Sequence, residues 1–181
     1  MAKIFLGSST TNSQGKATFT YNGTGSGINN FVAESGNLVS QPSTVIDALY
    51  FDDMSTDTNE NYYINTTNNS ISYDSMNKKL VITALSSNGM YVDLRGLLNQ
   101  VKGKTIKIEV DVEPVNCSVR LQCYPQGSAI NLTNLVSTAI TLVTEPYDVP
   151  SDSTNAFFRI TGSYVSSQSS FTFKNWKIYV V

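Results

Sequence analysis

The stretch Thr105-Ile-Lys-Ile-Glu-Val-Asp-Val-Glu113 decides the fold class of this chain. Apolar and charged residues alternate along it, with Ile or Val at every second position. Successive side chains of a β-strand point to opposite faces, so the alternation predicts a strand with one buried face and one solvated face. Similar short runs recur along the chain, separated by Gly, Asn, Ser and Pro, and they predict an all-β protein.

The runs that flank this stretch extend the pattern. Residues 116–124 alternate again, and Pro114 before them suits a turn or an edge position. The closing run, 171–181, changes parity near Lys174 and Asn175, which predicts a β-bulge. The side chains that such a bulge keeps on one face are Phe171, Phe173, Trp176, Ile178 and Val180. Further predicted strands are 16–21, 28–33, 48–52, 69–73, 79–84, 90–94, 138–143 and 156–161, and 94–101 is a candidate helical turn.

A change in composition near residues 36–44 divides the chain in two. A Gly/Thr-rich arm, residues 1–40, precedes a body, residues 45–181. A body of about 140 residues suits a two-sheet antiparallel jelly-roll sandwich. Two or three strands cannot bury a core alone, so we expect the N-terminal β arm to pair with another sheet edge.

Composition excludes several classes of function. The 181 residues include 12 basic and 14 acidic side chains and no histidine. Without a basic stripe, nucleic-acid binding is not expected, and without histidine neither Ser-His-Asp nor Cys-His catalysis can operate. No run approaches the roughly 20 apolar residues of a membrane span. The two cysteines stand six residues apart on one predicted strand, too far apart for a disulfide. The sequence therefore predicts a non-enzymatic protein that does not insert into membranes.

The carboxylates leave two alternatives open. Glu109 and Asp111 share a strand face at a separation of about 7 Å, which a glycosidase can use, but their alternating context favours a solvated face. The aspartates before the Asn/Thr-rich segment 55–69 offer the hard oxygen ligands that calcium prefers. The candidate metal ligands are Asp47, Asp52 and Asp53. Ordinary turn-forming roles are the favoured alternative for them, and no other cofactor is expected.

Tyrosine and amide side chains suggest a sugar site. Sugars bind proteins through aromatic faces together with hydrogen bonds from polar side chains. Tyr62 and Tyr63 interrupt the polar segment 55–69, and Tyr124 shares the predicted outward face of its strand with Arg120 and Gln122. These five residues are the candidate glycan-binding platform.

Two stretches resemble known families. The first resembles the closing hairpin of invasin/intimin-type immunoglobulin-like repeats. It consists of Asn12-Ser-Gln-Gly-Lys-Ala-Thr-Phe-Thr-Tyr21, then Gly23-Thr-Gly-Ser-Gly27 and Phe31-Val-Ala33.

The body resembles carbohydrate-binding-module jelly rolls. The motifs that carry this second resemblance are Leu94-Arg-Gly-Leu-Leu98, Gly103-Lys-Thr-Ile-Lys-Ile-Glu-Val110, Phe157-Phe-Arg-Ile160 and Phe171-Thr-Phe-Lys-Asn-Trp-Lys-Ile-Tyr179. The resemblance to carbohydrate-binding modules implies sugar binding. A similar last strand in that family often carries a calcium-holding Asp, where this chain has Lys174.

Both modules are similar to parts of methanogen adhesin-like proteins and of tailed-virus surface proteins. The apolar run Ile4–Leu6 is too short for a signal peptide. With Met1 as the natural start we therefore expect synthesis in a host cytoplasm and release by lysis. The prediction is a virion surface protein, a tail-fibre adhesin or a head decoration, whose jelly roll either binds a host envelope glycan or decorates the head. Residues 1–40 would contact other virion proteins, in a homo-oligomer with a trimer favoured. The alternative is a carbohydrate-binding module of a cell-surface adhesin or a glycosidase.

Overall fold

The computed structural model describes residues 27–31, 34–35, 38–39, 43–154 and 157–181, with side chains from residue 48 onward. Most of these residues lie in β-strands. The strands are β1 (Gly27–Phe31), β2 (Glu34–Ser35), β3 (Leu38–Val39), β4 (Ser43–Asp52), β5 (Tyr62–Tyr63), β6 (Asn69–Asp74), β7 (Lys79–Ala84), β8 (Met90–Leu94), β9 (Thr105–Val115), β10 (Val119–Tyr124), β11 (Ile130–Asn131), β12 (Ile140–Val143), β13 (Tyr147–Asp148), β14 (Phe157–Gly162) and β15 (Ser170–Val180). A 3₁₀ turn, Asn59–Asn61, precedes β5, and a short helix, α1 (Leu98–Val101), follows β8. Among the described residues no helix is long and apolar enough to cross a membrane.

The strands form two main antiparallel sheets. The large sheet has eight strands and is centred on β15, which pairs with β9 along one edge and with β7 and then β4 along the other. β6, β1, β12 and β13 complete it. The small sheet has five strands in the order β11-β10-β14-β8-β5. The predicted fold class, an all-β two-sheet antiparallel jelly-roll sandwich, is confirmed.

The core lies between the two sheets, where alternating side chains from each are buried. β9 shows the simplest case, because Ile106, Ile108, Val110 and Val112 are buried while the residues between them are not. The same alternation in β7, β8 and β14 supplies the rest of a single apolar cluster. Burial of apolar area is the main favourable term in folding, so this alternation specifies which face of each strand turns inward.

The predicted bulge in the closing strand is confirmed. The register of β15 against β9 shifts between Lys174 and Lys177, and Asn175 has a φ of 52°. A left-handed residue absorbs the extra position, so the apolar residues on both sides of it face the same way. Phe171, Phe173, Trp176 and Ile178 are fully or almost fully buried, and Val180 packs against the same cluster.

Several element boundaries differ from the sequence prediction. β9 continues through Pro114 to Val115, and Pro114 lies beyond Val112, where the pairing with β12 ends. Proline lacks an N–H donor, so this edge position suits it. The helical turn is shorter than predicted, and Tyr62–Tyr63 form an edge strand inside the polar segment.

The described part of the predicted arm reaches the body. β1 pairs along its whole length with the first half of β4, from Gly27 opposite Asp47 to Phe31 opposite Ser43. β2 and β3 form a two-stranded ladder of their own. Residues 1–26 lie outside the described residues, and so does the predicted strand 16–21.

Candidate functional site on the small sheet

The strands of the small sheet carry polar and aromatic residues on the side that points away from the core. In β8, β10 and β14 these residues alternate with buried apolar ones. We call this surface the outward face. Its members are Tyr63, Tyr91, Asp93, Arg95, Arg120, Gln122, Tyr124, Asn131, Phe157, Arg159 and Thr161.

One row of the outward face crosses every strand of the small sheet. Asn131 lies opposite Gln122, and Gln122 lies opposite Arg159. Asp93 follows, between Arg159 on one side and Tyr63 on the other. Opposite residues of an antiparallel pair have Cβ atoms about 4.5–5.5 Å apart. The row is therefore a continuous band of amide, guanidinium, carboxylate and phenol groups.

Asp93 joins two arginines at the centre of this band. Arg159 donates from Nε to Oδ1 at 2.5 Å and from Nη2 to Oδ2 at 3.0 Å. Arg95 donates from Nη2 to Oδ2 at 2.8 Å. The Asp93 side chain is completely buried under these partners. A buried carboxylate is costly unless it is paired and hydrogen-bonded, so these contacts hold both guanidinium groups in place.

Both guanidinium groups also lie over aromatic rings. Arg95 Cζ is 3.6 Å from the centroid of the Tyr63 ring, and Arg159 Cζ is 3.8 Å from that of Tyr91. A cation over a ring face is attracted by the ring quadrupole, and arginine suits this geometry because its charged group is flat. Each of these two tyrosine rings is therefore covered by a positively charged group.

The other half of the outward face is a hydrogen-bonded chain beside a stacked pair of rings. Tyr124 and Phe157 stack with centroids 4.6 Å apart and planes 9° from parallel. Arg159 Nη1 donates to the Tyr124 hydroxyl at 3.2 Å, and Gln122 Nε2 donates to Asn131 Oδ1 at 2.9 Å. Each polar side chain here is oriented by a neighbour.

Arg120 occupies a second row, opposite Thr161, which in turn lies opposite Tyr91. Its Nε is buried and has no hydrogen-bond partner among the described residues. Buried donors without a partner are uncommon in folded proteins. This nitrogen is therefore an unused donor on the outward face.

The structure brings together most of the predicted glycan platform. The residues it places on the outward face are Tyr63, Arg120, Gln122 and Tyr124. Tyr62 lies on the opposite side of β5, where it stacks on Trp176 and its hydroxyl donates to Asp52 at 3.0 Å. Adjacent strand residues point to opposite faces, so Tyr62 belongs to the core and is out of reach of a ligand.

Sequence reasoning missed the centre of this surface. The unpredicted members are Tyr91, Asp93, Arg95, Asn131, Phe157, Arg159 and Thr161. The alternation of β8 and β14 does place most of them on outward faces. It does not show that β8, β10 and β14 are neighbours, because Tyr91 and Arg159 are far apart along the chain. The pairing of these strands is a property of the tertiary fold.

Solved structures similar to this chain include carbohydrate-binding modules. The CBM22-1 xylan-binding domain of Paenibacillus barcinonensis Xyn10C has a TM-score of 0.59 and 12% identity over 75% of this chain and 95% of that one. The C-terminal family 22 carbohydrate-binding module of Clostridium thermocellum Xyn10B has a TM-score of 0.57 and 14% identity over 74% and 92%. The fold is that of a carbohydrate-binding module.

A third similar structure contains a second module. It holds the CBM22-1 and GH10 modules of Clostridium thermocellum Xyn10B with xylohexaose, at a TM-score of 0.57 and 13% identity, and the match covers 74% of this chain and 28% of that one. No protein-family model matches the chain, and no curated protein matches its sequence. At these identities the comparisons establish the shared fold, and a shared jelly roll does not by itself carry a shared ligand.

The predicted metal ligands are engaged within the chain where the structure describes them. Asp52 is buried and accepts hydrogen bonds from the Met54 N–H and the Tyr62 hydroxyl. Asp53 accepts the Ser55 N–H at 2.9 Å, a turn contact that lowers the pKa of its carboxyl. The side chain of Asp47 lies outside the described residues. Across the side chains that the structure describes, no three acidic or cysteine groups lie close enough to hold a metal.

The alternative carboxylate pair lies on the large sheet and is tied up by neighbours. Glu109 accepts the Tyr179 hydroxyl at 3.2 Å. Asp111 accepts Asn175 Nδ2 at 2.7 Å and the Thr141 hydroxyl at 2.6 Å. These contacts fit the solvated strand face that the alternation favours.

Both thiols are buried and unpaired with each other, as the spacing predicts. Burial raises the pKa of the Cys123 thiol to about 12. Since the thiolate is the reactive form, this cysteine fills space in the core.

Proposed function

We propose that the protein binds a glycan on the outward face of the small sheet. The observation that carries the proposal is the row Asn131–Gln122–Arg159–Asp93–Tyr63, which crosses the whole sheet. A sugar ring offers apolar C–H faces and a rim of hydroxyl groups. Aromatic rings beside fixed donors and acceptors match both of these features.

The arrangement of the site supports binding of an extended ligand. The row runs across five strands, which at about 4.8 Å per strand is roughly 19 Å, a length suited to several sugar units. Its side chains are held by ion pairs and hydrogen bonds, so little conformational entropy is lost on binding. Tyr63, at the edge strand, is 45% exposed and is the most open ring of the face.

The similar modules add support of a second kind. One of them is named a xylan-binding domain, and another is described through the role of its cleft residues in ligand binding. This chain presents the same fold, with a polar and aromatic surface on one sheet. The proposal therefore includes a polysaccharide as the ligand, because the chemistry of the outward face suits one.

The proposed activity is binding without hydrolysis. A glycosidase uses two carboxyl groups that flank the scissile bond. The outward face has one, Asp93, and it is buried under Arg95 and Arg159. Both oxygens of this carboxylate are hydrogen-bonded to arginines, and the second carboxyl group that hydrolysis requires is absent from the outward face.

Affinity electrophoresis against a panel of neutral and acidic polysaccharides tests this proposal. We expect the full chain to be retarded by at least one polysaccharide and Tyr63→Ala to weaken that binding about tenfold, which corresponds to about 1.4 kcal/mol. Phe51→Ala is the matched control, because Phe51 is 55% exposed on the large sheet and has Lys177 Nζ 5.5 Å from its ring centroid. Absence of retardation, or an equal loss in the Phe51 variant, would overturn the proposal.

The biological setting is a separate part of the proposal. We propose a virion surface as the setting, with residues 1–40 contacting other virion proteins and a homo-oligomer, favoured as a trimer, presenting the jelly roll to a host glycan. The support is the sequence resemblance to tailed-virus surface proteins. The alternative, a module of a cell-surface adhesin or glycosidase, is supported equally by the similarity to xylanase modules. Antibody labelling of lysates and cells separates the two, since virion location requires label on particles.

A further inference from the structure

All the arginines of this chain lie on one surface. The sequence contains three, Arg95, Arg120 and Arg159, which are 25 or more residues apart. β10 and β14 carry two of them and the third directly follows β8, so that all three belong to the outward face. The strands of the small sheet contain no lysine. The cations of this face are therefore all guanidinium groups.

This surface has an excess of positive charge. Asp93 is its single carboxylate against three guanidinium groups, which leaves two positive charges uncompensated. The chain as a whole has a net charge of −2. The outward face is thus opposite in sign to the rest of the protein. A local excess of one sign attracts ligands of the other sign.

Two of the arginines have donors left over. Arg95 makes one hydrogen bond to Asp93, from Nη2, and its side chain is 47% exposed. Arg120 has a buried Nε without a partner among the described residues. Guanidinium carries five N–H donors in a planar fork that matches the two oxygens of a carboxylate or a sulfate. Arg95 therefore presents donors that are open to a ligand, whereas Arg120 adds an unpaired, partly buried cation to the same face.

We propose that the glycan bound by the outward face is acidic and carries carboxylate or sulfate groups. The inference rests on the proposed function, because the sugar rings would lie against the aromatic residues while Arg95 and Arg120 bind the anionic groups. A neutral sugar would offer no charged group to pair with the two excess cations. A nucleic acid fits less well, since the protein is acidic overall and the outward face has only three cations to pair with phosphates.

Isothermal titration calorimetry with paired polysaccharides tests the inference. The probes are oligogalacturonate and alginate, each with its carboxyl-reduced form, and carrageenan with its desulfated galactan. We expect at least one acidic probe to bind about tenfold or more tightly than its neutral partner, with the preference falling as salt is added. The acidic probe with the largest preference over its neutral partner identifies the recognised group as carboxylate or sulfate.

Matched variants assign the preference to the arginines. Arg95→Gln and Arg120→Gln are each expected to weaken binding of the acidic probe about tenfold while affecting the neutral partner less. Lys107→Gln, on the outer side of the large sheet, removes the same charge elsewhere and is expected to change neither. Arg159 is left in place, because its loss would strip the buried Asp93 of two hydrogen bonds.

The possible failures are distinguishable. Equal binding of acidic and neutral partners, or binding of neutral polysaccharides alone, overturns the acidic preference and leaves glycan binding intact. Binding of a single-stranded oligonucleotide as tightly as the acidic probes overturns the inference in favour of general polyanion binding. Absence of binding to every polysaccharide overturns this inference together with the proposed function.

Discussion

Two adjacent tyrosines on β5 show how much a single position decides at the scale of residues. Tyr62 is buried against Phe173 and Trp176. Its hydroxyl is hydrogen-bonded to the Tyr50 hydroxyl and to the carboxylate of Asp52. Tyr63 points the other way and lies beneath Arg95. The same side chain thus serves the core at one position and the candidate site at the next, because the strand period is two residues.

The buried phenol predicts a pH dependence of stability. Burial, followed by the neighbouring Tyr50 and Asp52, raises the pKa of Tyr62 well above its ordinary value. The unfolded chain releases this proton near pH ~10, so the folded state binds the proton more tightly. The stabilisation is complete below pH ~10 and is lost as the pH rises, by about 1.4 kcal/mol per pH unit. Urea unfolding between pH 9 and about 11.5 measures it.

The neighbouring tyrosine supplies the control for this experiment. Tyr62→Phe is expected to reduce the slope of the unfolding free energy against pH by one proton, at a cost of about 1 kcal/mol at neutral pH for the lost hydrogen bonds. Tyr63→Phe removes a phenol that is 45% exposed on the other side of the same strand, and it is the matched control. Equal slopes for the parent chain and Tyr62→Phe would contradict this account.

At the scale of elements, the bulge in β15 decides which half of the strand can join the core. Without the extra residue, Trp176 and Ile178 would point away from Phe171 and Phe173. Asn175 takes up the extra position with a φ of 52°, and its side chain donates to Asp111 on β9. Asparagine tolerates this left-handed conformation better than most residues. The local kink thereby preserves an eleven-residue strand at the centre of the large sheet.

The bulge predicts an order of substitutions at Asn175. Asn175→Val is expected to lower the free energy of unfolding by about 2 kcal/mol, because a β-branched residue is strained at this φ and the bond to Asp111 is lost. Asn175→Gly loses the same bond without the backbone strain, so it is expected to be less destabilising than the valine variant. Denaturant unfolding measures both. A valine variant as stable as the glycine variant would show that the backbone here is unstrained.

At the scale of the whole molecule, the predicted arm and the jelly roll are connected through the large sheet. β1 covers the first half of β4, which otherwise would be an open edge. Open edges expose unpaired backbone groups and promote pairing with other chains. β1 therefore belongs to the large sheet, although it precedes the composition change near residues 36–44.

Two truncations test this view of the N-terminal region. A chain that starts at Gly27 keeps β1 and its pairing with β4, and it is the reference for this test. A chain that starts at Ser43 loses the pairing of β1 with β4 and is expected to be less stable and more prone to aggregate. Denaturant unfolding and light scattering measure both properties. Equal behaviour of the two truncations would show that β1 contributes nothing to the sheet.

The same variants test the predicted role of the arm in assembly. If residues 1–40 hold the protein in a homo-oligomer, the full chain should elute as an oligomer and the chain from Gly27 should lose part or all of that association. Light scattering coupled to size-exclusion chromatography gives the mass directly. Retained assembly in the chain from Ser43 would place the oligomer interface in the jelly roll instead.

The sequence by itself determined the fold class, the inward face of most strands and the bulge. Alternation does this because burial acts on each strand locally: Ile106 to Val112 need no partner to show which side is apolar. It also placed Arg120, Gln122 and Tyr124 together, since they share β10. The absence of histidine likewise shaped the prediction of a binding protein.

Only the tertiary structure decided which strands are neighbours, and with them the site. Asp93 meets Arg159 because β8 pairs with β14, a contact between residues 66 positions apart. No local pattern contains that pairing, because it depends on how whole strands pack to cover the core. The prediction of Tyr62 as a site residue is wrong because a polar segment does not show where an edge strand begins, and so does not show which of two adjacent tyrosines faces the core. Local physics fixed the faces, and long-range packing assembled three distant arginines into one surface.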